Sequence, residues 1–205
     1  MDFIYRFIWR IGEKMSLVIA AISKDNDIIV CGEGRTVDAI TDEVYKEDTR
    51  KAFKFNDSLI VAYVGNDTKT IPLRAHMNIA CLDYSKWNIN SIYEDILKYE
   101  KENYNKEKGN LQFLAAGYDE NGNPHLYVIS ANETVVSSYD YCKEKTVSIG
   151  NMEYVLDFDK KNDDANIIES KIINIIEEKA KIDPVINDNI TCKLHISLTN
   201  SPHLD

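Results

Sequence analysis

Three residues of this chain have types and positions that could do chemistry together: Ser16, Glu33 and Lys51. Ser16 opens the apolar run Ser16-Leu-Val-Ile-Ala-Ala-Ile22, Glu33 lies near the end of the run that starts at Ile28, and Lys51 stands at the start of a third segment. A serine at the first position of a chain carries its hydroxyl beside its own α-amine, a group whose reference pKa is about 7.7–8.0. Near neutrality an appreciable fraction of that amine is an unprotonated base. A lysine close by would lower the amine pKa further and help the hydroxyl lose its proton, while a carboxylate would keep the lysine charged and oriented. The chemistry is nucleophilic acyl transfer, and it has one condition. With Met15 attached, the Ser16 nitrogen is an amide and cannot act as a base.

The elements that must position these residues are short and well punctuated. Lys24-Asp-Asn-Asp27 turns the first apolar run into the second, so two antiparallel strands place Ser16 and Glu33 at the same edge. A third strand over 49–55 begins near Lys51, and Asn56-Asp57 turns it into a fourth, Ser58-Leu-Ile-Val-Ala-Tyr-Val-Gly65. Two more chain segments belong at that edge. Backbone N–H groups of the 61–65 segment could form an oxyanion hole, and Ile149-Gly150-Asn151 forms a turn beside it.

Farther along, Asn66-Asp67 predicts the cap of a helix reaching about residue 82, and the spacing of Ile89, Ile92, Ile96, Leu97 and Tyr104 predicts a helix over 89–107. Strands over 111–117 and 125–130 flank the turn Asp119-Glu-Asn-Gly-Asn-Pro124, and a third strand is expected near 134–138. A strand at 146–150, a helix over 165–181 marked by Ile167, Ile168, Lys171, Ile172, Ile175 and Ile176, and a last strand over 190–198 complete the order. The segment 152–158 is too brief to type. This order predicts an α+β fold in which two sheets stack and helices cover their outer faces, a four-layer αββα sandwich.

At 205 residues the chain suits one domain, read as an extension over 1–15 and a folded unit over 16–205. The net charge of −10 argues against a nucleic-acid partner, since phosphate neutralisation needs clustered Lys and Arg. Cys31, Cys81, Cys142 and Cys192 are scattered and form no CxxC pair, which reads as reduced thiols in a cytoplasmic protein. His76, His125, His195 and His203 make no visible Ser-His-Asp or metal set, so neither a metal nor a cofactor is expected. In the extension, Phe3, Phe7, Ile8, Ile11 and Met15 recur at helical spacing. Three roles fit that helix: a propeptide, a packing or assembly helix, or a membrane-surface anchor using Trp9, Arg6 and Arg10, the last being the least favoured.

Taken together, the motifs resemble the proteasome β-type subunits and the bacterial proteasome-like peptidase HslV, members of the N-terminal nucleophile (Ntn) hydrolases. The family pattern is a nucleophilic Thr or Ser, an acidic residue two before an Arg, a Lys ahead of a Leu-Phe-like pair, and an apolar strand ending in Gly. Here these match Ser16, Glu33 with Arg35, Lys51 before Ala52-Phe53, and Ile60-Val-Ala-Tyr-Val-Gly65, with one extra residue in the turn at 25–27. The resemblance spans roughly residues 16–199. It implies Ser16 as nucleophile and, through its amine, base; Lys51 as the cation that tunes it; Glu33 as the lysine's partner; and the Ala62 N–H as oxyanion donor.

It further implies Ile60 and Arg35 at the substrate side, with Asn151, Asp183 and Asp188 as supporting residues, a peptide or protein substrate, and a homo-oligomeric ring. Self-processing relatives carry Gly before the nucleophile, whereas Met15 stands here, so initiation at Met15 followed by removal of that methionine offers another route to a free Ser16. The competing expectation is a catalytically silent, proteasome-like assembly protein that keeps its first helix. A small-molecule amidase would share the nucleophile but not the substrate.

Overall fold

The computed structural model describes residues 16–37, 43–65, 88–103, 111–131, 136–150, 159 and 161–198. The chain forms a mixed helix and sheet structure, and every strand pairing among the described residues is antiparallel. The strands are β1 (Leu17–Ile22), β2 (Ile28–Glu33), β3 (Thr36–Val37), β4 (Val44–Lys46), β5 (Ala52–Asn56) and β6 (Leu59–Gly65). Helix α1 (Ile89–Asn103) precedes β7 (Leu111–Tyr118), β8 (Pro124–Ala131), β9 (Val136–Asp140) and β10 (Thr146–Gly150), and α2 (Ala165–Ala180) precedes β11 (Ile190–Ile196). They build a four-stranded sheet in the order β10-β1-β2-β11, a five-stranded sheet β5-β6-β7-β8-β9, and a separate β3-β4 pair.

All six residues of β1 and all six of β2 are buried, because each strand is covered on both sides. Side chains alternate across a strand, so one apolar run feeds two cores. Val18, Ala20 and Ile22 join Ile28 and Val30 in a core shared with Ile60, Ala62, Leu114 and Ala116 of the other large sheet. Their neighbours Leu17, Ile19 and Ala21 meet Ile168, Ile172 and Ile176 of α2, three residues at i, i+4 and i+8. On the five-stranded sheet, Leu59, Val61 and Tyr63 likewise meet Ile89, Ile92 and Ile96 of α1. Each isoleucine so buried contributes about 1.5–3 kcal/mol, which is what fastens the helices to the sheets.

The local signals explain the boundaries. Asp164 caps α2 by accepting the Ile167 N–H at 3.0 Å, and Asn88 accepts the Ser91 N–H at 3.0 Å to start α1. The first hairpin closes where Ser23 N–H meets Asp27 O at 2.8 Å, with Asn26 at φ 65°. That is the geometry of a three-residue connection ending in a left-handed residue. The long turn before β8 is organised by Asp119 Oδ1, which accepts from Asn121 N–H at 2.9 Å and Asn123 N–H at 2.7 Å.

Several expected boundaries differ from those observed. The second strand ends at Glu33 as expected, where Gly34 and Arg35 turn away to bond Asn189 and Glu33, and the third begins at Ala52 rather than 49. The strand expected over 134–138 runs over Val136–Asp140, and β3 and β4 were not foreseen. The helix expected over 89–107 is described as far as 103. The expected helices over 1–15 and 66–82, the untyped segment 152–158, and Cys81 lie outside the described residues. No helix among the described residues is long and apolar enough to cross a membrane.

Candidate active site

Ser16 sits immediately ahead of β1, where the pairing of Val18 with Gly32 sets Leu17 across from Glu33. Glu33 is completely buried, and its carboxylate is met by three donors. Oε1 accepts the Leu17 N–H at 3.2 Å and the Lys51 ammonium at 2.6 Å, while Oε2 accepts the Arg35 N–H at 2.6 Å. Lys51 arrives from the other sheet, one residue ahead of β5, where its carbonyl takes the Tyr63 N–H at 2.9 Å. The ion pair therefore bridges the two large sheets at one end of their shared core. With side chains 4% and 0% exposed, water does not screen it.

The Lys51 ammonium also donates to the Ser16 hydroxyl oxygen and to the Arg35 carbonyl. Ser16 Oγ–H in turn faces that same carbonyl at 3.3 Å. One cation thus touches the hydroxyl, a carboxylate and a main-chain oxygen. A positive charge held on a hydroxyl oxygen favours its alkoxide, the form in which it attacks a carbonyl.

The main chain of Gly150 lies close against that of Ser16. Gly150, at the end of β10, adopts φ 103° and donates its N–H to the buried Gln112 Oε1 at 2.7 Å. A Cβ on Gly150 would fall 1.6 Å from the Ser16 carbonyl oxygen, so no side chain fits there without moving Ser16. Gly150→Ala is expected to cost about 2–4 kcal/mol, from the positive φ together with overpacking. Urea unfolding checks this, and an unchanged midpoint would contradict it.

A family model described as Proteasome subunit matches residues 14–193. The chain belongs to the proteasome subunit family. A search of curated proteins finds no match. The match starts two residues ahead of Ser16 and takes in every strand of both large sheets, apart from the last few residues of β11. Proteasome subunits assemble into oligomeric rings, and family membership makes this chain a proteasome-like peptidase or subunit.

Not every expected site residue of this proteasome-family chain joins the cluster. Arg35 contributes through its main chain, while its guanidinium turns to Glu47 Oε2 at 3.1 Å and to the carbonyls of Pro184 and Ile186 at 2.5 and 3.4 Å. Ile60 is fully buried in the core between the sheets. Ala62 is also buried in the interior of β6. Since the Tyr63 N–H points to the β5 side, strand alternation turns the Ala62 N–H toward its β7 partner Leu114, away from Ser16. Asp183 Oδ1 accepts the Val185 N–H at 3.0 Å within its own turn. Asp188 lines a cleft of about 400 Å³ together with Arg35, Lys181 and Asn187, and makes no bond to Ser16, Glu33 or Lys51. Asn151 lies outside the described residues.

The loop that carries Asp183 and Asp188 is nevertheless tied to the site, by residues the sequence did not single out. Asn187 Oδ1 accepts the Gly34 N–H at 3.2 Å, and its Nδ2 donates to Glu47 O at 3.1 Å and Glu47 Oε2 at 2.5 Å. The hydrogen bond from Arg35, then that from Asn187, holds the Glu47 carboxyl below the usual carboxylate range. Gln112 did carry a visible signal, a lone amide inside the apolar strand Leu111-Gln-Phe-Leu-Ala-Ala-Gly117. Cys31 and Cys192 are buried thiols, and burial pushes them up to about 12 and about 11, which leaves them protonated and unreactive at neutral pH.

Proposed function

We propose that this chain is a proteasome-type peptidase with the four-layer αββα architecture of the Ntn hydrolases, in which Ser16 becomes the amino-terminal nucleophile once residues 1–15 are removed. The contact of the Lys51 ammonium with Ser16 Oγ, backed by Glu33 at 2.6 Å, is the observation that carries this reading. In the reaction Ser16 Oγ attacks the scissile carbonyl and its proton passes to the free α-amine of the same residue. Lys51 stabilises the developing alkoxide, and Glu33 supplies the counter-ion that keeps the lysine aimed.

For the oxyanion, Gly65 is a better donor than Ala62. It ends β6 at φ 116°, and its N–H points to the same side as that of Tyr63, beyond the first residue of β5. The amine then returns the proton to the leaving amide nitrogen, an acyl-Ser16 ester remains, and water activated by the same amine hydrolyses it. Residues 16–205 form the working domain, a homo-oligomeric ring in the cytoplasm is its setting, and no metal or cofactor takes part.

The test compares a chain released so that Ser16 is its first residue with a chain retaining residues 1–15. Hydrolysis of fluorogenic peptides is expected only from the first. Equal rates from both would overturn the reading, and inactivity of both would favour a silent assembly subunit.

A further inference from the structure

The β8–β9 hairpin gathers a second cluster, remote from Ser16. Its register pairs Tyr127 with Asp140, and continuing it by two residues sets His125 across from Cys142. His125 Nδ1 lies 2.9 Å from Asp140 Oδ2, and one ligand atom from each of His125, Asp140 and Cys142 lies within 4.8 Å of the others. The group is partly buried. The sequence gives no hint of it, because the three residues follow no ligand spacing and only strand pairing unites them.

The surroundings are arranged as a metal's would be. Asp119 Oδ2 stands 3.5 Å from His125 Nε2, so a cation on Nδ1 leaves the Nε2–H facing a carboxylate, the arrangement that orients ligating histidines. Tyr127 stacks on the imidazole at 5.3 Å between ring centroids and fixes its plane. The Cys142 N–H donates to Asp140 Oδ1 at 2.9 Å, which leaves Oδ2 turned to the cluster. Beside it, Glu144 Oε2 is buried with no hydrogen-bond partner among the described residues, while Oε1 accepts from Tyr139 at 3.1 Å. An unpaired buried carboxylate oxygen is costly, and a nearby cation offsets that cost.

We propose that His125, Asp140 and Cys142 bind a zinc-class divalent cation with a fourth position open to water. Imidazole, thiolate and carboxylate together suit zinc, whereas magnesium and calcium favour oxygen-only sets. Tetrahedral ligation needs donor atoms about 3.3–3.6 Å apart, so the His125–Asp140 contact opens slightly and the widest pair closes by about 1 Å. Movements of that size fall within side-chain adjustment. The cation fastens the end of edge strand β9 to the start of β8. It lies three strands across and four residues along from Lys51, roughly 20 Å away, so it acts on stability rather than on peptide chemistry.

The experiment titrates the full chain with cobalt(II) under a non-chelating reductant. A thiolate-to-cobalt charge-transfer band that saturates at one equivalent is expected, absent in Cys142→Ser, retained in Cys81→Ser, and requiring at least tenfold more cobalt in His125→Gln. Zinc at a hundredfold excess over its Kd is expected to raise Tm by about 5–10 °C in the wild-type chain and not in Cys142→Ser. No thiolate band in the wild-type chain, or a band that survives Cys142→Ser, would overturn the proposal and leave His125 simply hydrogen-bonded beside Asp119 and Asp140. The wild-type titration is decisive even if a variant fails to fold.

Discussion

Replacing Lys51 with methionine is expected to abolish peptide hydrolysis and to lower the unfolding free energy by about 3–5 kcal/mol. Both effects follow from one atom. Lys51 Nζ is the ion-pair partner of Glu33, a carboxylate that is 0% exposed, and removing it leaves a buried negative charge held, among the described residues, by the Leu17 and Arg35 N–H groups. The same nitrogen donates to Ser16 Oγ, so the hydroxyl loses the charge that stabilises its alkoxide, and a drop of at least about 10²-fold in kcat/KM is expected.

A double variant separates the two effects. Glu33→Gln combined with Lys51→Met removes both charges, and exchanging a buried pair for neutral side chains of similar volume is often close to neutral. Urea unfolding of the double variant is expected to recover most of the stability lost in Lys51→Met, while hydrolysis stays absent. Recovery of activity along with stability would show that Lys51 serves only the fold.

Ser16→Ala gives the second large effect. In a chain that begins at residue 16, removal of the hydroxyl is expected to reduce peptide hydrolysis by a factor of about 10⁴ or more, as losses of attacking groups do. Stability should change by about 1–3 kcal/mol, because Ser16 is partly exposed but its hydroxyl accepts from the Lys51 ammonium besides making a 3.3 Å contact with the Arg35 carbonyl. Ser16→Thr keeps the hydroxyl and amine in the same relation and is expected to retain measurable activity. Hydrolysis by Ser16→Ala at the parent rate would remove Ser16 from the mechanism.

Much of this fold was legible because its strands are apolar runs bounded by strong turns. Asn26-Asp27 and Asp119 to Pro124 mark hairpins whose strands need only pair locally, and the isoleucines of α2 repeat at helical spacing. The convergence of Ser16, Glu33 and Lys51 was legible for the same reason, since each lies at or beside the end of a strand and antiparallel pairing fixes which ends meet. Strands β3 and β4 escaped notice because two and three residues are too few to display a period of two.

Orientation was harder to read than proximity. Ile60 and Ala62 lie in the strand that reaches the site, but alternation commits both side chains to the core and the Ala62 N–H to β7. Glu47 and Asn187 are joined across 140 positions of sequence, with no pattern to announce the contact. The His125 cluster is hidden in the same way, inside a hairpin whose second strand runs two residues later than expected.

The central claim, that Ser16 acts as a free amino-terminal nucleophile, is tested most directly by locating a covalent adduct. The peptidase-active fraction of the natural protein would be treated with a peptide bearing an acylating electrophile, digested, and sequenced by tandem mass spectrometry. The expected result is a single adduct on Ser16, in a fragment whose first residue is Ser16. An adduct on any other residue, or an active fraction in which Met15 remains joined to an unmodified Ser16, would contradict it.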